Sequence, residues 1–396
     1  MQSGRIEKSD MGHGGLLCGR TIWALALIGV MGCVRTTQAE ADSTPSTMTV
    51  GYENGLFLRD AENAFGLRIG GWIQARYEYL RRPDDEDLSS FYIRRLRLDI
   101  RGHVLSEDLT FRILQELARD ANLQDGWINY AFNPAMELRI GQFTVPFQWH
   151  REVGPRRQHF AERGVPSETF GLRGGRDIGV MLHGRNESDT MKYGVGIFDG
   201  AGRNVRESNS RGHMASARLA LAALGTLPRE ESDYRFSEQA NLAFGLGAQA
   251  ANRSELRAWD LGRSAGDDPD AEPDVRGDWA SVTADARFAY RGFSLVADGY
   301  LRSVDPRAAA VDSYDGWAYM LSAGYFLIPK RLEMAGRYSE LRLDSNDADT
   351  EQTAWGLGAN LYLKGHDWKL RFNYLNRERE NGERDDFILV EHHLQF

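Results

Sequence analysis

The stretch FYIRRLRLDIRG, residues 91–102, alternates apolar and charged side chains. Successive side chains of an extended strand point to opposite faces, so Leu96, Leu98 and Ile100 share one face. The opposite face takes the charged residues of the stretch, which are Arg95, Arg97, Asp99 and Arg101. The stretch therefore predicts a β-strand with one apolar face and one basic face.

The same alternation recurs along nearly the whole chain, and no stretch after residue 45 has sustained helical periodicity. It is clear in GLRIGGWIQARYEYL (66–80), DWKLRFNYLNR (367–377) and FILVEHHLQF (387–396). Sixteen segments are predicted to be strands: 66–80, 91–104, 107–118, 123–133, 135–146, 175–184, 190–199, 212–224, 237–252, 278–290, 292–304, 314–327, 330–343, 351–364, 367–379 and 384–396. An even number brings both ends of the sheet to the periplasmic rim, as in bacterial outer-membrane barrels.

The connections decide between a barrel and a soluble sandwich, because both would show the alternation. Short connections such as NPAM and IPK alternate along the chain with long ones such as RRPDDEDLSS and the 29-residue stretch Phe147–Gly175. Short turns at one rim and long loops at the other predict an all-β fold, a sixteen-stranded antiparallel transmembrane β-barrel. TLPREESDYRF (226–236) is long where a short turn is expected, which leaves the count open by two strands.

Aromatic residues at the strand ends agree with a membrane barrel. Two interfacial girdles are expected, one beside the long loops and one beside the short turns. The girdle residues would be Trp279, Trp317 and Trp355 at the first rim, and Tyr290, Tyr325 and Trp368 at the second.

The apolar run TIWALALIGVMGCV, residues 21–34, follows three basic residues and is too short to span a membrane as a helix. We therefore expect a signal peptide over residues 1–39, a periplasmic arm over 40–65 and the barrel over 66–396. Lipoprotein processing at Cys33 is an alternative. Both cysteines, Cys18 and Cys33, lie in this leader, so no disulfide is expected in the mature protein. The expected location is the outer membrane of a Gram-negative bacterium.

The net charge and the ratio of arginine to lysine indicate which classes of ligand the protein is suited to bind. The formal net charge is −9, which argues against nucleic-acid binding. Only five basic residues are lysine and 43 are arginine. Arginine is suited to planar, two-point recognition of carboxylate and phosphate groups.

If the apolar strand faces meet lipid, the other faces line a pore. Those faces would carry fourteen basic residues against eight acidic ones, and rings of arginine and lysine favour anions. The predicted pore-lining, anion-guiding residues are Arg76, Arg95, Arg97, Arg101, Arg112, Arg139, Arg337 and Arg371. The alternative is that these arginines only pair with acids and stiffen the wall, which would leave a general porin without selectivity.

Several segments resemble the phosphate-selective porin O and P family: FYIRRLRLDIRG, LQDGWINYAFNPAMELRIGQFTVPF (123–147) and RRQHFAERGVPSETFGLRGGRDIGVMLHG (156–184). The resemblance runs from about residue 50 to Phe396. It implies a trimer whose long loop, here Phe147–Gly175, folds inward as a constriction for phosphate or similar oxyanions. The constriction arginines would be Arg151, Arg156, Arg157, Arg163 and Arg173. The lysines depart from the family pattern, because Lys192, Lys330, Lys364 and Lys369 lie near predicted short turns rather than near the constriction.

The sequence predicts no enzyme, no catalytic residues, no metal site and no cofactor. His392 and His393 are neighbours on one strand and point to opposite faces, so they cannot serve one site. His150 and His159 lack metal-ligand spacing and are expected to be ordinary polar loop residues. The expected partners are small anionic solutes such as phosphate, outer-membrane lipids and two further copies in a homotrimer. A non-channel outer-membrane barrel, structural or enzymatic, is the remaining alternative.

Overall fold

The computed structural model describes residues 48–82, 86–118, 121–205, 212–256, 275–307, 313–344, 351–379 and 381–396. The expected signal peptide and both cysteines lie outside these residues.

The described residues form eighteen strands and a few short helical turns. The strands are β1 (Met48–Tyr52), β2 (Leu56–Asp60), β3 (Phe65–Arg81), β4 (Leu88–Val104), β5 (Ser106–Glu116), β6 (Asn122–Asn133), β7 (Met136–Thr144), β8 (Arg176–Arg185), β9 (Met191–Phe198), β10 (Met214–Leu224), β11 (Asn241–Leu256), β12 (Val275–Tyr290), β13 (Phe293–Pro306), β14 (Tyr314–Ile328), β15 (Leu332–Leu343), β16 (Gln352–Lys364), β17 (Trp368–Arg379) and β18 (Arg384–Gln395). The helices are α1 (Trp149–Glu152) and α2 (Val165–Thr169), with 3₁₀ turns at Pro155–Arg157 and Arg173–Gly175. No helix in the described ranges is long and apolar enough to cross a membrane.

Strands β3 to β18 form a closed antiparallel barrel. Each strand pairs with the next along the chain, and β18 returns to pair with β3, from Asp386 opposite Arg81 to Gln395 opposite Trp72. Each of the sixteen predicted segments corresponds to one of these strands. The sixteen-stranded antiparallel barrel predicted from the sequence is therefore confirmed.

Strands β1 and β2 form a hairpin that lies along the first residues of β3. Leu56 pairs with Ile69, just beyond the end of β18, where the backbone of Phe396 exchanges hydrogen bonds of 2.9 and 2.8 Å with Gly71. The connecting residues include Asn54 and Gly55 at φ 51° and 130°, a conformation that these two residue types tolerate best. The hairpin thus continues the line of β18 along β3 and covers an edge that would otherwise be unpaired.

The two rims of the barrel differ, as the sequence predicts. The short-turn rim holds connections such as residue 105, residues 134–135 and residues 291–292, whereas the long-loop rim holds 145–175 and 199–213. Arg291 and Gly292 have φ of 47° and 82°, and positive φ at both positions is what a two-residue type I′ hairpin turn requires. The exception at the short-turn rim is residues 225–240, the connection that contains TLPREESDYRF. We refer to 145–175 as the β7–β8 loop and to 225–240 as the β10–β11 loop.

The outer face of the wall is an apolar belt. Val282, Leu301 and Leu321 are about half exposed on neighbouring strands, whereas Ser281, Arg302 and Ser322, each next to one of them along its strand, are buried. Trp317, Trp355, Tyr325 and Trp368 are also exposed, as the girdle prediction requires. Trp279 is 7% exposed and packs in the largest apolar core cluster, so its placement in the girdle is wrong. The position of a residue near a strand end predicts how close its side chain lies to a rim of the barrel. Whether that side chain is on the outer or the buried face depends on the strand register.

Candidate functional site

The β7–β8 loop contacts the buried face of the wall around most of the barrel. Its groups hydrogen-bond to residues on eleven strands: Arg76 (β3), Arg94 (β4), Lys192 (β9), Arg218 (β10), Gln249 (β11), Tyr300 (β13), Ser322 (β14), Arg337 (β15), Asn360 (β16), Arg371 (β17) and Gln395 (β18). Near the ends of the loop, Phe147, Phe170 and Leu172 pack into the largest apolar cluster of the described residues. The apolar ends and the polar middle together position the loop.

Glu162, in the middle of this loop, is held by three wall arginines. Its carboxylate lies 2.5 Å from Nη1 of Arg76, 2.7 Å from Nε of Arg94 and 3.8 Å from Nη2 of Arg95. Burial alone would raise the pKa of Glu162, but Arg95, Arg76 and Arg94 hold it well below its ordinary range. We call these four residues the Glu162 site, and its carboxylate is ionised at any physiological pH.

A β-bulge allows two consecutive arginines to reach that carboxylate. Gln74 pairs with Arg95, but the next residue of β3, Ala75, pairs with Ile93, so Arg94 has no partner in the ladder. The extra residue turns Arg94 toward the loop and keeps Ile93 on the exposed face. Strict alternation would have placed Arg94 among the exposed apolar residues.

The eight predicted pore-lining arginines all lie on the polar face of their strands, and most of them are paired. Arg97 bonds to Glu116 at 2.8 Å, and Arg112 bonds to both Asp99 and Asp125 at 2.7 and 3.0 Å. Arg76 and Arg371 share the fully buried carboxylate of Glu391. Arg95 also donates to Gln74 at 3.0 Å. The polar face is therefore a network of ion pairs rather than a row of free cations.

Three of the eight arginines have no carboxylate within ion-pair distance in the described part of the chain. Arg337 donates to the carbonyl of Glu162 at 2.7 Å and lies 4.4 Å from the ring centre of Phe160. Arg139 lies over the ring of Trp127 at 4.3 Å and donates to Asn129. Arg101, close to the short-turn rim, forms no hydrogen bond or ion pair with the described residues and is exposed.

The five predicted constriction arginines belong to the β7–β8 loop and differ in their contacts. Arg151 pairs with Glu168 at 2.7 Å, whereas Arg156 bonds to Gln395. The Nε of Arg157 is buried without a partner in the described ranges. Only the backbone of Arg173 is among the described residues.

Arg163 donates to the carbonyl groups of His150 and Val153 at 3.0 and 3.2 Å rather than to a carboxylate. Burial, and then repulsion from Arg151, lowers the pKa of Arg163 to about 9, which leaves it charged at neutral pH.

One lysine does reach the loop. Nζ of Lys192, on β9, lies 2.7 Å from a carboxylate oxygen of Glu152. A lysine near a short turn therefore contacts the loop, and its position along the strand alone did not reveal this contact.

The β10–β11 loop meets the β7–β8 loop from the opposite rim. Glu231 lies 2.8 Å from Nδ1 of His150 and accepts a 2.7 Å hydrogen bond from the backbone N–H of His159. Nε2 of His150 lies 2.7 Å from Asp298 on β13. We call these four residues the histidine clamp. The expectation that His150 and His159 are ordinary polar loop residues is wrong, because both are buried and bonded at both ring nitrogens.

The clamp shifts the titration of its loop members. Burial alone would lower the pKa of His150, but Asp298 and Glu231 raise it to about 10. Burial would raise the pKa of Glu231, but His150 and then His159 lower it to about 2. At neutral pH the clamp therefore holds a cationic His150 between two carboxylates.

A cavity of about 300 Å³ lies between the β7–β8 loop and the wall, at the Glu162 site. Its lining includes five arginines and two acids: Arg76, Arg94, Arg163, Arg337, Arg377, Glu78 and Glu162. Both acids are engaged, since Glu162 is bound by arginines and Glu78 accepts a 2.5 Å hydrogen bond from Tyr92. The space is thus bordered by positive charge in excess. Among the described residues, no group of three or more His, Cys, Asp or Glu is arranged to hold a metal ion.

Sequence reasoning missed four residues that organise this site: Arg94, Asp125, Glu231 and Glu391. Glu391 could have been found, because FILVEHHLQF places it on the same face as His393, opposite the apolar residues. Arg94 had a weaker signal, since Ile93 and Leu96 are three residues apart and can share the apolar face only across a bulge. Glu231 had none, because nothing in its neighbourhood predicts contact with a loop from the other rim.

The fold and the sequence each have recognisable relatives. An uncharacterized protein of Aquifex aeolicus (strain VF5) is 23% identical over 350 residues, covering 80% of this chain and 82% of the relative. The structure is similar to an anion-selective porin from Comamonas acidovorans, with a TM-score of 0.58 and 15% identity, covering 84% of this chain and 100% of that porin. It is also similar to the trimer form of OmpT, an outer membrane protein of Vibrio cholerae, with a TM-score of 0.56 and 11% identity, covering 83% and 99%.

The family comparison agrees with the resemblance seen in the sequence. The family described as phosphate-selective porin O and P matches residues 67–396, the whole barrel from the start of β3. Family and fold together support an outer-membrane porin channel rather than an enzyme. Since the match covers most of its length, the chain belongs to the phosphate-selective porin O and P family.

Proposed function

We propose that the barrel is a water-filled channel for small solutes and that the β7–β8 loop folds into its lumen as a constriction. The loop bonds to side chains that alternate with the exposed apolar belt, so it contacts the face turned away from lipid. The contacts of this loop with eleven strands support a segment that crosses the interior. Sixteen strands enclose enough space for an aqueous path beside such a loop.

The channel prefers anions, and phosphate or similar oxyanions are the proposed solutes. The observation that carries this proposal is the cavity at the Glu162 site, where five arginines face two acids that are already engaged. Arginine binds oxyanions through two parallel N–H groups, which suits phosphate better than chloride. The fold similarity to a porin described as anion-selective agrees with this preference.

An unselective general porin is the second candidate. The ion pairs of Arg97 with Glu116 and of Arg112 with Asp99 and Asp125 favour it, because paired charges contribute little net potential to a pore. The constriction, rather than the wall as a whole, would then decide whether the channel discriminates.

Location and assembly follow from the same reasoning. Residues 1–39 would direct export, residues 40–65 would lie in the periplasm, and the apolar belt would contact outer-membrane lipids. We propose a homotrimer, which is supported by the family and by the similarity to a protein that has a trimer form.

Reversal potentials in planar bilayers test the proposal. Under a potassium chloride gradient, the purified protein should show a reversal potential of the sign for anion flow. Inorganic phosphate should reduce the chloride current. A reversal potential near zero would favour the general porin, and absence of conductance would favour a non-channel barrel.

A further inference from the structure

Glu162 places a carboxylate where a permeating oxyanion would bind. Arg94 approaches it with two nitrogens, Nε at 2.7 Å and Nη2 at 3.2 Å, which is the two-point geometry that arginine uses for carboxylate and phosphate. Arg76 adds a third contact at 2.5 Å. The site is therefore built for an oxyanion, and a side chain of the protein itself occupies it.

Two of the three arginines depend on Glu162 for their charge partner. Arg94 has no other hydrogen bond or ion pair with the described residues, and Arg95 otherwise bonds only to the neutral amide of Gln74. Arg76 keeps Glu391 at 2.6 Å. Neutralising Glu162 would thus leave two guanidinium groups beside the cavity without a carboxylate.

The loop is fixed at Glu162 and at the residues before it by contacts that do not involve the Glu162 carboxylate. Arg337 donates to the Glu162 carbonyl at 2.7 Å, and the N–H of Ala161 donates to Asn373 at 2.8 Å. Asn360 donates to the carbonyl of His159 at 2.9 Å. Removing the carboxylate charge should therefore empty the arginine site without releasing the loop.

We propose that Glu162 is a tethered anion that competes with solutes for the guanidinium groups of Arg76, Arg94 and Arg95, and so sets how strongly the pore holds an oxyanion. A pore lined by unoccupied arginines would bind oxyanions and release them slowly, whereas conduction needs binding weak enough for the ion to leave. A carboxylate on a loop gives such a site a permanent competitor. This inference rests on the proposed anion channel.

The test is single-channel recording of chloride current with increasing inorganic phosphate, in the wild-type protein and in Glu162→Gln. Glu340→Gln is the control, since Glu340 lies on the outer face of β15, away from the loop, and pairs with the exposed Arg342 at 2.9 Å. We expect phosphate to block Glu162→Gln at a concentration lower by about tenfold or more, the change that loss of one charge-assisted competitor would give. The anion-to-cation permeability ratio should rise as well, and Glu340→Gln should match the wild type.

The possible failures are separable. If the wild-type channel conducts without preference for anions, the proposed function fails and this inference fails with it. If the wild type prefers anions but Glu162→Gln shows unchanged phosphate block, only the tethered-anion role is wrong. If Glu162→Gln does not assemble, Glu162→Asp is the variant to test. It keeps the carboxylate but moves it away from the arginines by the length of one methylene group. Its phosphate block should then shift by about threefold in the same direction, and an unshifted block would overturn the inference.

Discussion

At the level of single residues, two arginines of the same strand face have opposite surroundings. Arg97 is buried and bonded to Glu116, which is itself buried, whereas Arg101 is exposed and has no ion pair with the described residues. The sequence treats them alike, because both follow the same alternation in FYIRRLRLDIRG. Their environments predict that one residue stabilises the barrel and the other affects permeation.

Arg97→Gln should destabilise the protein and Arg101→Gln should not. The first substitution leaves the buried Glu116 without its cation, which we expect to cost about 3 kcal/mol of unfolding free energy. The second removes an exposed charge and should change the unfolding free energy by less than about 0.5 kcal/mol. Urea unfolding in lipid vesicles, followed by tryptophan fluorescence, measures both. Equal stability losses would show that the Arg97–Glu116 pair is not the relevant difference.

Arg101→Gln should instead lower the preference for anions. Its charge lies in a wet part of the wall, where screening extends over about 8 Å at physiological salt, so the effect should grow as salt is diluted. The control is Arg342→Gln, which removes an exposed arginine near the long-loop rim that pairs with Glu340 on the outer face. Reversal potentials measured at two salt concentrations compare the anion preference of the two variants. A change of the same size in Arg342→Gln would point to a general surface effect.

At the level of elements, the β7–β8 and β10–β11 loops contact each other rather than act separately. The β7–β8 loop comes from the long-loop rim and the β10–β11 loop from the short-turn rim, and they join at Glu231. The sequence identified both loops by their length, and the family resemblance pointed to the arginines of the first. It could not show the junction, because contacts between loops from opposite rims follow from three-dimensional closure rather than from local pattern.

The histidine clamp predicts a pH dependence of the β7–β8 loop. The pKa of His150 is raised from 6.5 to about 10, so its contribution is complete below 6.5 and is lost as pH rises through about 10. The pKa of Glu231 is lowered from 4.5 to about 2, so its contribution is complete above 4.5 and is lost as pH falls through about 2. The loop should therefore be held most firmly between pH 4.5 and 6.5.

Limited proteolysis of the folded barrel over a pH series, with a protease active across the range, measures this attachment. Cleavage within 145–175 should increase above pH 9 in the wild type, and His150→Gln should cleave readily at every pH. Ser237→Ala, in the same β10–β11 loop but outside the clamp, serves as the control. Protection that stays constant up to pH 10.5 in the wild type would contradict the role of His150.

At the level of the whole molecule, the fold was predictable to a degree that the site was not. Alternation assigned sixteen strands, and the contrast between NPAM or IPK and the 29-residue Phe147–Gly175 assigned the two rims. Both signals are local and repeated many times. The partner of each arginine depends on a neighbouring strand or loop, and a single bulge at Arg94 changes it. The sequence therefore predicted which types of residue lie on the polar face, but not which of them pair with one another.

The closed barrel predicts a heat-dependent mobility on gels. Unheated protein in mild detergent should migrate as a compact species, and boiling should shift it to the position of the unfolded chain. The reason is that closure leaves the barrel no unpaired edge at which detergent-driven opening can begin. Native mass spectrometry of the unheated species tests the proposed trimer, and detection of monomer alone would refute that assembly.

The seam between β3 and β18 has a kinetic consequence. Every other pair in the barrel joins consecutive strands, but here Arg81 meets Asp386 and Trp72 meets Gln395. Chain-closure entropy for so large a loop is about 3 kcal/mol less favourable than for a hairpin of a dozen residues. We expect the hairpins to form first, as an open sheet whose two edges are β3 and β18. Closing this seam would then be the slow step of assembly, and until it closes either edge can pair with a strand of another chain.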